Sequence, residues 1–144
     1  MKPRIITRER ERIGQFVADR MRNPAAWNAF EAIGLERNGK LIAGVVFDSY
    51  APNARVTVHL AGDGKHWLNR EFLHVCCSYA FDQMKCNVAM GFIDADNAAS
   101  LQLALHFGFS ELARIHGGSG DCDTVILKMM REECAWLKGH SYAL

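Results

Sequence analysis

The chain has 144 residues and a mass of 16.1 kDa, with 49% hydrophobic and 23% charged residues, which is typical of one globular domain. This composition excludes collagen-like, low-complexity and wholly disordered chains. Because 17 Lys and Arg offset 16 Asp and Glu to a net charge of +1, we expect neither nucleic acid nor a membrane surface as a partner. The start has no apolar run typical of a signal peptide, so we expect a cytoplasmic protein.

The first part of the chain predicts a helix followed by three strands. Residues 8–22 carry one apolar stripe at helical spacing, Thr7 is placed as the N-cap, and Asn23–Pro24 ends the helix. Strands over 29–37 and 41–48 follow, joined by Asn38–Gly39, which tolerates the positive φ angles of a tight hairpin turn. A strand over 54–61 alternates apolar with polar residues, which indicates that one face is buried.

The second part predicts alternating helices and strands. A helix begins at Asn69 or Arg70, and a strand over 87–93 leads to a short helix from Ala98 to Phe107 that Gly108 ends. Strands over 110–116 and 123–129 and a terminal helix near 131–137 complete the order. We therefore predict an α/β or α+β mixed sheet, with helices on both faces and one strand–helix–strand crossover in the middle.

Five cysteines are an odd number in a chain without an export signal, which favours reduced thiols. They are Cys76, Cys77, Cys86, Cys122 and Cys134. No pair has C-x-x-C spacing, and the nearby histidines do not complete a zinc pattern. We expect no metal site.

One segment carries a family resemblance. It begins at Asn97, has Ser100 three residues later and ends on Gly108–Phe109, and it resembles the corresponding segment of the Gcn5-related N-acetyltransferases (GNAT). The order of elements and the hairpin strand over 40–46 are similar too, over about residues 5–130. The 67–70 loop and the 133–137 tail look similar to small acetyltransferases of bacteriophages.

The resemblance implies a GNAT-like central mixed, mostly antiparallel sheet and acetyl-CoA as co-substrate. The strand end at His59–Leu60–Ala61 would then bind the pantetheine arm, and the following loop would bind the pyrophosphate. This loop departs from the family's glycine pattern, because Gly64, Trp67 and Asn69 stand where Gln or Arg, Gly, and Gly or Ala are expected. The implied coenzyme-binding residues are Leu60, Ala61, Lys65, His66, Trp67, Leu68, Asn69, Arg70 and Asn97.

The candidate catalytic residues are His59 and Ser100. Histidine titrates near pH 6.5, so His59 on the central strand suits a general base. Ala104 occupies the position where the family often has a Tyr acid, and Ser100 and His106 are nearby substitutes. Asp94 and Asp96 would draw a cationic amine toward the cleft, or would cap the turn that they flank.

Two functions follow from the resemblance. The first is acetyl transfer to a primary amine, whether a small molecule, a peptide N-terminus or a lysine, by direct attack in a ternary complex. The alternative is a catalytically degenerate protein of the same fold that binds acyl-CoA or a host protein. The sequence leaves the acceptor open, and also the choice between a monomer and a homodimer.

Overall fold

The computed structural model describes residues 2–22, 27–64 and 69–137. One seven-stranded sheet runs through them in the order β1-β2-β3-β4-β5-β7-β6. The strands are β1 (Arg4–Ile6), β2 (Phe30–Arg37), β3 (Lys40–Ala51), β4 (Arg55–Gly62), β5 (Val88–Asp94), β6 (Ser110–Ile115) and β7 (Thr124–Met130). Neighbouring strands are antiparallel except β4 and β5, which are parallel. The prediction of a mixed, mostly antiparallel sheet is confirmed.

In the described residues, three α-helices cover the sheet from both faces, as predicted. They are α1 (Arg10–Ala18), α2 (Arg70–Ser78) and α3 (Ala98–Phe107). Ile13, Phe16 and Val17 of α1 pack in one buried cluster with Ala32 and Val46 of the sheet. A larger cluster on the opposite face joins side chains of α2 and α3 to β2, β3, β4, β5 and β7. We call these two sides the α1 face and the α2 face.

Strand alternation decides which side chains reach each face. In β4, Val58 and Leu60 pack with the α2-face cluster, whereas Ala61 packs with the α1-face cluster. In β5, Ala89 is buried on the α2 face, so Phe92 and Asp94 belong to the α1 face.

Several element boundaries agree with the residues that predicted them. Asn38 and Gly39 have φ values of 54° and 78°, as the hairpin turn requires. The side chain of Asn69 caps α2 by accepting a hydrogen bond from the Phe72 amide at 3.0 Å. Gly108 ends α3 with a φ of 118°.

The first helix is shorter than predicted, and its predicted cap is wrong. Glu9, rather than Thr7, holds the N-cap position, and no side chain caps it. The helix ends at Ala18 because the Arg20 and Met21 amides turn back to Val17 and Ala18, at 3.0 and 3.2 Å. The prediction that Asn23–Pro24 ends the helix lies outside the described residues.

Three further features differ from the predictions. Strand β1 was not predicted, because three residues are too few to show an alternating pattern. Helix α2 continues into a π-helical turn over Tyr79–Gln83, which apolar spacing cannot distinguish from α-helix. The predicted terminal helix is only a 3-10 turn over Arg131–Glu133, because Cys134 and the residues after it pack against α3.

Candidate functional site

The parallel strands β4 and β5 separate toward their carboxyl ends. They pair only from Arg55–Val88 to Thr57–Met90, although β4 continues to Gly62 and β5 to Asp94. Beyond those pairs β4 remains bonded to β3 and β5 to β7. We call the gap between residues 58–62 and 91–94 the wedge. Its facing backbone groups lack strand partners there and are available to an extended ligand that carries amides.

A cavity of about 460 Å³ passes through the wedge from one face of the sheet to the other. Its half on the α2 face is almost wholly apolar. That half is lined by side chains such as Val58, Leu60, Leu73, Cys76, Cys77, Ala80, Phe81, Ala89, Leu103, Ala104, Phe107, Phe109 and Leu127. Its half on the α1 face is more polar, with Arg20, Arg22, His59, Asp94 and Thr124 among the lining residues.

The predicted base His59 lies on the α1 face at the edge of the wedge. Its Nε2 is 2.8 Å from Oδ1 of Asp48, which lies on the neighbouring strand β3. The Trp27 ring packs against the imidazole with centroids 4.8 Å apart, and Trp27 Nε1 donates a hydrogen bond to the Gly14 carbonyl. The imidazole is therefore oriented by a carboxylate and an aromatic ring. Asp48 was not predicted, because its contact depends on strand register.

The predicted residues at the start of α3 also reach the cavity. Asn97 caps the helix by accepting a hydrogen bond from the Ser100 amide at 3.2 Å. Asn97, Ser100 and Ala104 all line the cavity, whereas His106 is exposed and does not. The roles proposed for Ser100 and Asn97 therefore stay predictions, while His106, which does not line the cavity, is less well placed than Ser100 to substitute for the missing Tyr.

The predicted coenzyme-binding residues fall into three groups. Leu60 lines the cavity beside the wedge, whereas Ala61 points to the α1-face cluster. Asn69 and Arg70 form the beginning of α2 and do not line the cavity. Lys65, His66, Trp67 and Leu68 lie outside the described residues, so their role in binding the pyrophosphate stays a prediction.

Two arginines that follow α1 pair with carboxylates at the ends of the two strands that form the wedge. Arg20 donates two hydrogen bonds of 2.7 Å to Asp63 at the end of β4. Arg22 donates one of 2.7 Å to Asp96, and its Nε is 3.8 Å from Oδ2 of Asp94 at the end of β5. These guanidinium groups lower the pKa of Asp63 and Asp96. The Asp96 carboxylate is therefore paired with an arginine, and the attraction of an amine by Asp94 or Asp96 stays a prediction.

The two cysteines that line the cavity in the described part of the chain, Cys76 and Cys77, are poor nucleophiles. Burial raises the pKa of Cys76, and a hydrogen bond with Cys134 together with burial raises the pKa of Cys77. Their thiolates are therefore scarce at neutral pH. Within residues 2–22, 27–64 and 69–137, no cluster of three or more His, Cys, Asp or Glu side chains is arranged to hold a metal ion.

The fold matches solved acetyltransferase structures. A mutant of the spermidine N-acetyltransferase SpeG from Vibrio cholerae superposes with a TM-score of 0.74 at 14% identity, over 94% of this chain and 96% of that one. A GNAT-family acetyltransferase from Streptococcus pneumoniae gives 0.68 at 12% identity, over 90% and 99%. The N-acetyltransferase PseH from Campylobacter jejuni gives 0.59 at 12% identity, over 72% and 70%. No protein-family model and no curated protein sequence matches the chain.

At these identities the likeness establishes the fold. The chain has the fold of the GNAT acetyltransferases, so the resemblance seen in its sequence is confirmed at that level. The similarity to bacteriophage proteins stays a prediction. Within the described part of the chain, no helix is both long and apolar enough to span a bilayer.

Proposed function

We propose that this protein is an N-acetyltransferase that transfers the acetyl group of acetyl-CoA to a primary amine by direct attack in a ternary complex. The wedge is the observation that carries the proposal. Its unpaired backbone groups suit the two amides of a pantetheine arm, and the apolar half of the cavity suits the methylene groups between them. The fold shared with solved acetyltransferases supports the same reaction class.

The residues present leave room for the coenzyme arm. Gly91 of β5 lines the cavity, and a Cβ added there would meet only Phe109 Cε1, at 3.8 Å. We assign the arm to the strand end at Leu60 and Ala61. The diphosphate is assigned to the loop over 65–68 and the amino end of α2 at Asn69–Arg70, where helix amides favour an anion.

His59 performs the proton transfer in this proposal. Asp48 accepts the Nε2 proton of the imidazole, which leaves Nδ1 with the lone pair that takes a proton from the acceptor ammonium or attacking amine. The amine nitrogen forms a bond to the acetyl carbon while the carbon–sulfur bond breaks. The thiolate keeps the electron pair and takes a proton from solvent, since thiols titrate near pH 8.5.

Direct attack agrees with the cysteine chemistry. An acyl-enzyme route would need a reactive thiolate at the cavity, and Cys76 and Cys77 are the thiols among its described lining residues. Their raised pKa values disfavour that route.

The test measures thiol release from acetyl-CoA with a panel of amines, as a function of pH. We expect His59→Ala to lower turnover by about 10²-fold or more near pH 7, and much less near pH 9.5, where free amine is abundant. His106→Ala is the matched control, because His106 is exposed outside the cavity, and it should keep the wild-type profile. If His59→Ala lowered turnover equally at every pH, His59 would have only a packing role.

A catalytically degenerate binding protein is the second candidate. It is favoured by Ala104, which lines the cavity where the family often has a Tyr, and by the absence of any Tyr among the described lining residues. This candidate predicts that acetyl-CoA raises the unfolding temperature while no amine releases thiol. A ligand at 100 times its dissociation constant adds about 2.7 kcal/mol to the free energy of unfolding, which a thermal scan detects.

A further inference from the structure

Two large apolar side chains stand exposed on the α1 face of the sheet. Phe92 of β5 is 46% exposed and Ile115 of β6 is 45% exposed. Both line the cavity. They remain uncovered because α1 packs over β2, β3 and β4, and no described helix covers β5, β7 and β6 on this face. An apolar surface that lines a cavity is a usual contact for the apolar part of a ligand.

The register places this apolar surface beside the proposed base. Thr57 and Met90 are the last paired residues of β4 and β5, so His59 and Phe92, two residues further along each strand, face one another across the wedge. Strand β7 then connects β5 to β6, since Thr124 pairs with both Asp94 and Ile115. Phe92 and Ile115 therefore line the same cavity as His59 and lie on the same face of the sheet.

The charges at the cavity disfavour a polycation. Arg20, Arg22 and Asp94 are the charged lining residues in the described part of the chain, apart from His59. Both arginines are already paired, Arg20 with Asp63 and Arg22 with Asp96, whereas Asp94 lies 3.8 Å from Arg22, too far for a hydrogen bond. Asp94 is thus the one carboxylate of the described lining, so a polyamine with three or more ammonium groups would leave most of them without a partner there.

We propose that the acceptor is a monoamine that carries an apolar or aromatic group, with Phe92 and Ile115 forming the surface on which that group binds. The inference rests on the proposed function and narrows its substrate class. Asp94 lies two residues beyond Phe92 on the same face and provides the carboxylate for a single ammonium group.

The test compares three primary amines in the thiol-release assay: phenethylamine, ethanolamine and spermidine. We expect the kcat/KM of phenethylamine to exceed those of the other two by at least about tenfold, the usual discrimination from apolar contact. Phe92→Ala should lower the kcat/KM of phenethylamine by about tenfold and leave that of ethanolamine within about twofold of the wild-type value. Ile115→Ser should also lower the kcat/KM of phenethylamine more than that of ethanolamine.

Leu112→Ser is the matched control. Leu112 is an exposed apolar residue of the same strand β6 but does not line the cavity. Its substitution should therefore leave the kcat/KM of all three amines unchanged. The inference would be overturned if spermidine had the highest kcat/KM, or if Phe92→Ala lowered the kcat/KM of all three amines equally.

A binding measurement separates this inference from the proposed function. Phenethylamine is titrated calorimetrically into protein saturated with coenzyme A. Binding that Phe92→Ala weakens, in a protein that acetylates no amine, would overturn the proposed reaction and support the apolar amine site. Tighter binding of spermidine than of phenethylamine would overturn the amine site whether or not turnover occurs.

Discussion

At the residue scale, the candidate site combines side chains that sequence reasoning could find with others that it could not. His59 was found because the alternation in β4 places it opposite Val58 and Leu60. Arg20, Arg22 and Phe92 were not found, because their roles depend on contacts with residues distant in the sequence. An arginine after a helix or a phenylalanine in a strand has no local feature that distinguishes it from a solvated or buried residue.

Gly91 allows a direct test of the space proposed for the coenzyme arm. We expect Gly91→Leu to fill the cavity on the α2 face and to weaken acetyl-CoA binding by at least about tenfold, since the arm and a leucine side chain would compete for the same volume. Isothermal titration measures the affinity, and circular dichroism confirms folding.

Met90→Leu is the control for this substitution, because Met90 is adjacent in β5 but does not line the cavity. It should bind acetyl-CoA like the wild type. If a folded Gly91→Leu protein bound acetyl-CoA with wild-type affinity, the coenzyme arm would not occupy this half of the cavity.

At the element scale, boundaries set by capping residues were predictable and those set by packing were not. Asn69 and Gly108 mark the ends of α2 and α3 because a side-chain cap and a left-handed backbone are local needs. The end of α1 and the π-helical turn after α2 depend on neighbouring elements, so the sequence pattern alone misplaces them.

Gly108 is the position where a side chain should cost the most stability. Its φ is 118°, and an added Cβ would lie 2.1 Å from the backbone oxygen of Glu133, which cannot move as a flexible side chain would. We expect Gly108→Ala to lower the free energy of unfolding by at least about 2 kcal/mol, measured by denaturant titration.

Gly117→Ala provides the matched comparison. Gly117 also has a positive φ, 65°, but an added Cβ there meets nothing within 4 Å. Its substitution should cost only about 1 kcal/mol, from the backbone conformation alone. If both substitutions lowered the free energy of unfolding equally, the proposed clash with Glu133 would be contradicted.

The pairing of Glu36 should make stability depend on pH. This carboxylate, with a side chain only 8% exposed, binds both Arg12 and Arg4, which lower its pKa. Because the folded pKa lies below the unfolded value of about 4.3, the stabilisation is complete above that value and disappears as the pH falls through the folded pKa. We expect Glu36→Gln to unfold at a lower temperature than the wild type at pH 7, and the difference to shrink below about pH 4.

Glu111→Gln is the control for this pH dependence. Glu111 pairs only with Arg114, and both side chains are about half exposed. Exposed pairs contribute little, so this variant should follow the wild-type unfolding temperature across the same range. A difference between Glu36→Gln and the wild type that stays constant down to pH 3 would exclude the carboxylate charge as its source.

At the scale of the whole molecule, the proposed function depends on where two parallel strands stop pairing. The order of elements and the segment from Asn97 to Phe109 were sufficient to predict the class of fold, since that segment reflects the helix and turn beside the central strands. The wedge itself could not be read from the sequence, because separation of β4 and β5 is a matter of register rather than of residue type. The proposed acceptor preference could not be read either, because it is argued from a face of the sheet that α1 leaves uncovered.

The central claim is that the wedge binds the acyl-coenzyme arm, and hydrogen exchange tests it most directly. Exchange of backbone amides is followed by mass spectrometry, with and without acetyl-CoA, and with adenosine 3′,5′-bisphosphate as a control that lacks the pantetheine arm. We predict that acetyl-CoA slows exchange in the segments 58–62 and 91–94, and that the control ligand does not, because only the arm reaches the unpaired strand edges. Unchanged exchange in both segments under saturating acetyl-CoA would contradict the claim.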